Sequence, residues 1–238
     1  MLLDFFAHTH TPYLYARGSQ GTRVLLNELQ PLPGQRILEI GFGAGQTLVD
    51  MACRFPGIEL YGLEKSALML KTARQRLRFC GLPGIRLELY NHLLPFEDGF
   101  FDAVCCESVL AILPDNSLPE MFREIYRVLK PGGRFCCNES LWLKTVAPET
   151  IREINQKCLE TFGSVRPLPR RIFTGISKAP STLNAECFPS DSTSGNAVRI
   201  VPFRPAGSLH RPGPAGRNGW PDSRSVRILH VLWSRTRQ

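Results

Sequence analysis

At 238 residues, 43% of them hydrophobic, the chain is long enough to bury a sizeable core. Its net charge of +8 suggests a polyanionic partner only until the charge is located. Residues 1–163 carry 17 basic and 18 acidic side chains, whereas residues 164–238 carry 12 and 3. The eight cysteines include no Cys-x-x-Cys spacing, which removes zinc-ribbon and thioredoxin-type readings and leaves no metal-ligand set. No apolar run approaches the ~20 residues of a membrane span. The opening stretch MLLDFFAHTHTPYLYARG lacks the basic n-region and apolar core of a signal peptide, so the chain reads as cytoplasmic with reduced cysteines.

From Arg36 to Gly163 strand-like and helix-like segments alternate. RILEIG, IELYGLE, IRLELY, FDAVCCE and GRFCCNE are short, partly β-branched and bounded by turn residues, as strands are. Between them, SALMLKTARQRLRFCG offers Ser66 as N-cap, a stripe at Leu70, Ala73, Leu77 and Cys80, and Gly81 as a stop. LPEMFREIYRVLKPGG places Met121, Ile125, Val128 and Leu129 on one helical face and halts at Lys130–Gly133. PETIREINQKCLETFG does the same with Ile151, Ile154, Cys158 and Phe162, from Pro148 to Gly163. This alternation predicts right-handed βαβ units in a Rossmann-like, doubly wound α/β fold with a mainly parallel sheet. Ligands of such sheets bind beyond the carboxyl ends of the strands.

The first strand runs into ILEIGFGAGQT. A dinucleotide fingerprint needs a third glycine at the sixth position from Gly41, and Gln46 stands there instead. A P-loop needs a lysine after its glycines, and none follows. What remains is Glu39 with Gly41, Gly43 and Gly45 behind it. The second strand ends at Glu64, where a carboxylate can accept from two ribose hydroxyls. A ribose-bearing ligand without phosphates suits both features.

On these residues the chain resembles the class I S-adenosylmethionine-dependent methyltransferases that act on small molecules and lipids. ILEIGFGAG is similar to the first motif of that family, YGLEKSALMLKTA to its acidic second-strand motif, LLPFEDGFFDAV to the entry of its fourth strand, and MFREIYRVLKPGGRF to the stretch before its fifth. The resemblance covers about Gly18 to Gly163. It implies that Glu39 lies near the amino group of the methionine moiety and that Gly41, Gly43 and Gly45 let the backbone pass close to the cofactor. It implies further that Glu64 holds the ribose, that Leu63 and Lys65 flank the adenine, and that Glu107 lines the pocket. Where the family usually has an acid facing the adenine amino group, this chain has Asn91, followed by His92.

Methyl transfer from a sulfonium is an in-line displacement that chiefly needs alignment, so no catalytic residue is assigned. If the acceptor is a hydroxyl, Glu107, Glu139, His8, His10 and Tyr13 are the candidate bases. CESVL stands where nucleobase amino-methylating enzymes carry an Asp/Asn-Pro-Pro-aromatic motif, and no Pro-Cys dipeptide occurs. The neutral core also lacks a nucleic-acid footprint. A small-molecule, quinone or lipid-like acceptor is expected.

After Gly163 the composition changes to nine prolines, ten serines and eleven arginines with one lysine. Residues 164–238 therefore read as an irregular tail beyond a 1–163 methyltransferase domain, resembling a frameshifted or degenerate terminus. AVRIVPF and SVRILHVLW could be strands, but Pro202 interrupts the first. The terminal antiparallel strand pair of the family is accordingly expected to be missing. Two alternatives follow: a cofactor-binding but inactive methyltransferase, and a non-catalytic protein gripping RNA or an acidic partner with its basic tail.

Overall fold

The computed structural model describes residues 18–91, 93–142, 147–162, 166–169, 172, 199–202 and 226–234. At its centre β1 (Arg36–Ile40) lies parallel to β2 (Glu59–Glu64) on one side and β4 (Phe101–Glu107) on the other. β3 (Arg86–Leu89) extends the sheet beyond β2, and β5 (Leu129–Trp142) extends it beyond β4, all parallel. β6 (Leu168–Pro169) pairs with the far end of β5. The Rossmann-like, mainly parallel sheet is therefore as expected from the alternation of apolar runs.

One part of the expectation is corrected. The antiparallel pair is present, because β8 (Val226–Ser234) inserts between β5 and β7 (Arg199–Pro202), antiparallel to both. The order across the sheet is β3-β2-β1-β4-β5-β8-β7. Both added strands come from the arginine- and proline-rich stretch. Pro202, which argued against a strand, is accommodated because among the described residues β7 pairs only with β8, on the sheet edge.

Helices cover both faces. α1 (Gly18–Leu29), α2 (Gln46–Arg54) and α3 (Ala67–Phe79) bring Leu25, Leu48, Met51 and Ala73 against Ile37, Leu60, Ala103 and Cys105. α4 (Leu118–Val128) packs Met121, Phe122 and Ile125 on the opposite face against Leu38, Val104 and Phe135. α5 (Pro148–Phe162) covers Trp142 with Ile154 and Cys158. Ser66 caps α3 as expected, accepting from the Met69 N–H at 3.3 Å. α1 and α2 are absent from the segments read by periodicity alone. The Lys130–Gly133 stop also lies inside β5, where the register with β4 jumps from Phe101–Leu129 to Ala103–Arg134 and lets the turn residues bulge.

The adjacent cysteines sit on the central strands. Cys105 lies beside Cys136 on the α1 face, and Cys106 beside Cys137 on the α4 face; all four are buried thiols outside any disulfide.

Candidate functional site

The carboxyl ends of β1, β2 and β4 converge on the turn from Gly41 to Gly45. Gly41 has φ +71, and its N–H donates to the Leu63 carbonyl at 2.7 Å, which ties the turn to β2. A Cβ on Gly41 would lie 2.3 Å from Cγ2 of Val109, so a side chain is excluded by contact as well as by conformation. Gly45 then caps α2 in the left-handed region, with its N–H donating to the Phe42 carbonyl at 2.8 Å.

Glu64 holds this turn. Its Oε2 accepts from the Gly43 N–H at 2.9 Å, and its Oε1 accepts from the N–H groups of Lys65 and Ser66 at 2.7 and 3.1 Å. A carboxylate offers about four lone-pair sites, so acceptor capacity remains. Lys65 reaches over the Tyr90 ring at 5.4 Å, and Asn91, the next residue, is exposed beside it. Leu63 differs from its expected place: it is fully buried in the core and presents nothing to a ligand.

Two carboxylates lie beneath the turn on the α1 face, and their surroundings are opposite. Glu107 accepts from the Thr22 hydroxyl at 3.0 and 3.1 Å, from the Thr47 hydroxyl at 2.8 Å and from the Asn138 amide at 2.7 Å. Four elements, α1, α2, β4 and β5, are thus fastened at one side chain. Burial raises its pKa above the ordinary carboxylate range, while the bonds from Asn138, Thr47 and Thr22 pull it back. Glu39 is 0% exposed, and neither of its carboxylate oxygens has a hydrogen-bond partner. Burial first, then the charges of Glu107, Glu64 and Asp50, push its pKa well above the ordinary range. An orphaned carboxyl among three further acids is a place prepared for a cation.

The loop after β4 forms the neighbouring wall. Ser108 has φ +56, uncommon for a residue with a side chain, and its N–H donates to the Asn138 carbonyl at 2.9 Å. Glu139, fully buried on β5, accepts from the N–H groups of Val109 and Leu110 at 2.9 Å each and of Ala111 at 3.3 Å. Burial pushes its pKa up to about 8 against those three bonds. Glu139 therefore anchors a loop, and Glu107 a four-element junction. His8, His10, Tyr13 and His92 lie outside the described residues.

The family model for a methyltransferase domain matches residues 38–137. The demethylmenaquinone methyltransferase of Lactococcus lactis is 31% identical over 182 residues, covering 75% of this chain and 69% of that enzyme. The chain belongs to the class I S-adenosylmethionine-dependent methyltransferases. The corresponding enzyme of Symbiobacterium thermophilum is 40% identical over 111 residues, but the match spans 45% of this chain and only 43% of that enzyme. The YcgJ protein of Bacillus subtilis shares the fold, with a TM-score of 0.62 at 19% identity over 92% of this chain and 99% of that chain. S-adenosylmethionine is the cofactor of the family. The inactive and basic-tail readings are not favoured by these likenesses. No helix among the described residues is long and apolar enough to cross a membrane.

Thr22, Thr47 and Asn138 escaped the sequence reading. Thr22 did leave a signal, as a polar residue in the helical stripe with Leu25, Leu26 and Leu29, all buried. Asn138 and Ser108 left none, since their places depend on how β4 and β5 pair.

Proposed function

We propose that the chain transfers a methyl group from S-adenosylmethionine to a quinone or other lipid-like small molecule by in-line displacement. The observation that carries this reading is the buried, unpartnered Glu39 carboxyl under the glycine turn, a fit for the ammonium of the methionine moiety. Gly41 and Gly45 put no side chain where a Cβ would clash, the Gly43 N–H is held by Glu64, Glu64 offers its remaining lone pairs to the ribose, and Asn91 is exposed where the adenine edge would lie. The cofactor supplies an already activated methyl group. The chain's own task is alignment and exclusion of water, which can contribute up to ~7–11 kcal/mol.

The wall beside the acceptor supports the same reading. Glu107 and Glu139 are both committed to holding backbone and side-chain donors, so neither is free to act as a base. An acceptor that is itself nucleophilic, such as the electron-rich ring carbon of a reduced quinone, needs least from the protein. The two named relatives act on demethylmenaquinone, which agrees with that choice.

Calorimetric titration with S-adenosylhomocysteine tests the cofactor assignment. The parent is expected to bind, and Glu64→Ala to bind at least about tenfold more weakly, a loss of ~1.4 kcal/mol. Equal binding by both would refute the ribose role. Label from methyl-tritiated cofactor should then enter reduced demethylmenaquinone rather than phosphoethanolamine; the reverse preference would overturn the acceptor class.

A further inference from the structure

The two buried carboxyls beneath the glycine turn share one face of the sheet but not one environment. Glu39 stands opposite Cys105 in the β1–β4 register, and Glu107 lies two residues further along β4, so all three side chains point to the α1 face. Glu107 collects donors from Thr22, Thr47 and Asn138, which favour its ionised form. Glu39 has no donor on either oxygen and no exposure to water. The titratable groups facing Glu39 are Glu107 and Cys105 from β4, Glu64 from β2 and Asp50 from α2. The side chain of α1 at this junction is the neutral Thr22. Among the described residues, every charge facing Glu39 is therefore of the same sign. A buried acid without donors, beside a buried acid held by three, is the one of the two that keeps its proton.

Resting on the cofactor assignment above, we propose that Glu39 is protonated in the empty protein and releases that proton to solvent when the ammonium of the cofactor docks, with Glu107 as the fixed anion of the pair. The Glu39 O–H bond breaks, the proton passes to buffer, and the ammonium keeps its three hydrogens and pairs with the new carboxylate. Nothing is oxidised or reduced. Binding is consequently tighter at higher pH for as long as the ligand amine stays charged. It also discriminates for the amino-acid end of the ligand, because only a cation can draw the proton out. The direction of the Glu39 titration agrees, being pushed upward by burial and by its acidic neighbours.

The test is calorimetry with S-adenosylhomocysteine at about pH 7, below the usual range of an α-amino group, in buffers of different ionisation enthalpy. The slope of observed heat against buffer enthalpy counts protons. The parent should release close to one, and its affinity should rise roughly tenfold from about pH 6 to about pH 7. 5′-Methylthioadenosine, which has the nucleoside but no ammonium, should release none. Glu39→Gln should bind S-adenosylhomocysteine more weakly, with no release. If that variant fails to fold, the parent's pH slope and the methylthioadenosine comparison decide the matter. Tight binding with no proton released would overturn the proposal and leave the cofactor assignment standing. No binding of either nucleoside would overturn both.

Discussion

Gly41 faces Val109 across a gap that no side chain can enter, at a φ of +71. Gly41→Ala meets two separate penalties there. The left-handed backbone costs a substituted residue about 1–3 kcal/mol. The clash at 2.3 Å forces the loop after β4 away from the turn. The single variant should melt several degrees lower and bind S-adenosylhomocysteine more than tenfold more weakly. Adding Val109→Ala should recover part of the melting temperature, since it relieves the contact but not the dihedral. Full additivity of the two changes in thermal melts would show that the turn and the loop are not in contact.

At the scale of elements, Glu107 is the knot that joins α1 to the sheet. Thr22→Val keeps the shape of the side chain and removes the hydroxyl that Glu107 accepts from. The buried carboxylate loses a donor, at a cost of about 1–3 kcal/mol. Each kcal/mol corresponds to about 2–4 °C for a chain of this size. Hydrogen exchange in α1 should quicken while that in α4, on the other face, stays as it was. Equal acceleration in both helices would mean that the bond does not hold α1 specifically.

The same elements mark what could be read without a structure. Glu39, Glu64 and the three glycines fall at strand ends fixed by short apolar runs, so their convergence followed from local pattern and parallel topology. Leu63 lies in the same motif, yet its side chain points into the core, a matter of strand alternation rather than of sequence position. The bonds of Thr22, Asn138 and Glu139 join residues at least 28 positions apart; the register of β4 with β5 brings Asn138 and Glu139 to their partners, and the packing of α1 on the sheet brings Thr22 to Glu107. β7 and β8 were obscured for a different reason. Their apolar runs are short, one contains Pro202, and their pairing joins residues far apart in the chain.

For the whole molecule, pH acts through the buried carboxyls. Glu39, Glu107 and Glu139 are all shifted upward on folding, so between the ordinary carboxylate value and the raised ones the folded chain binds more protons than the unfolded chain. Their contribution is fully present at low pH and is lost as pH climbs through that window, which for Glu139 ends at about 8. Glu124 runs the other way: the Arg127 bonds lower its pKa, so its contribution is present above the ordinary value and lost as acid reaches the lowered one. The melting temperature of the empty protein should therefore peak on the acidic side of neutrality and fall from about pH 6 to about pH 9. Glu139→Gln should flatten part of that fall. A melting temperature that rises across the interval would contradict the direction assigned to all three carboxyls together.

Cys105, Cys106, Cys136 and Cys137 occupy the seam between β4 and β5, two thiols on each face. A thiol-modifying reagent can reach them only when those strands part and both helical layers lift. Cys53 and Cys80 are exposed and would be modified at once. The seam thus works as an internal clock for opening of the molecule. Intact-mass spectra should show an immediate shift for the surface thiols, followed by a later, single jump for the central four, timed by how often the sheet comes apart.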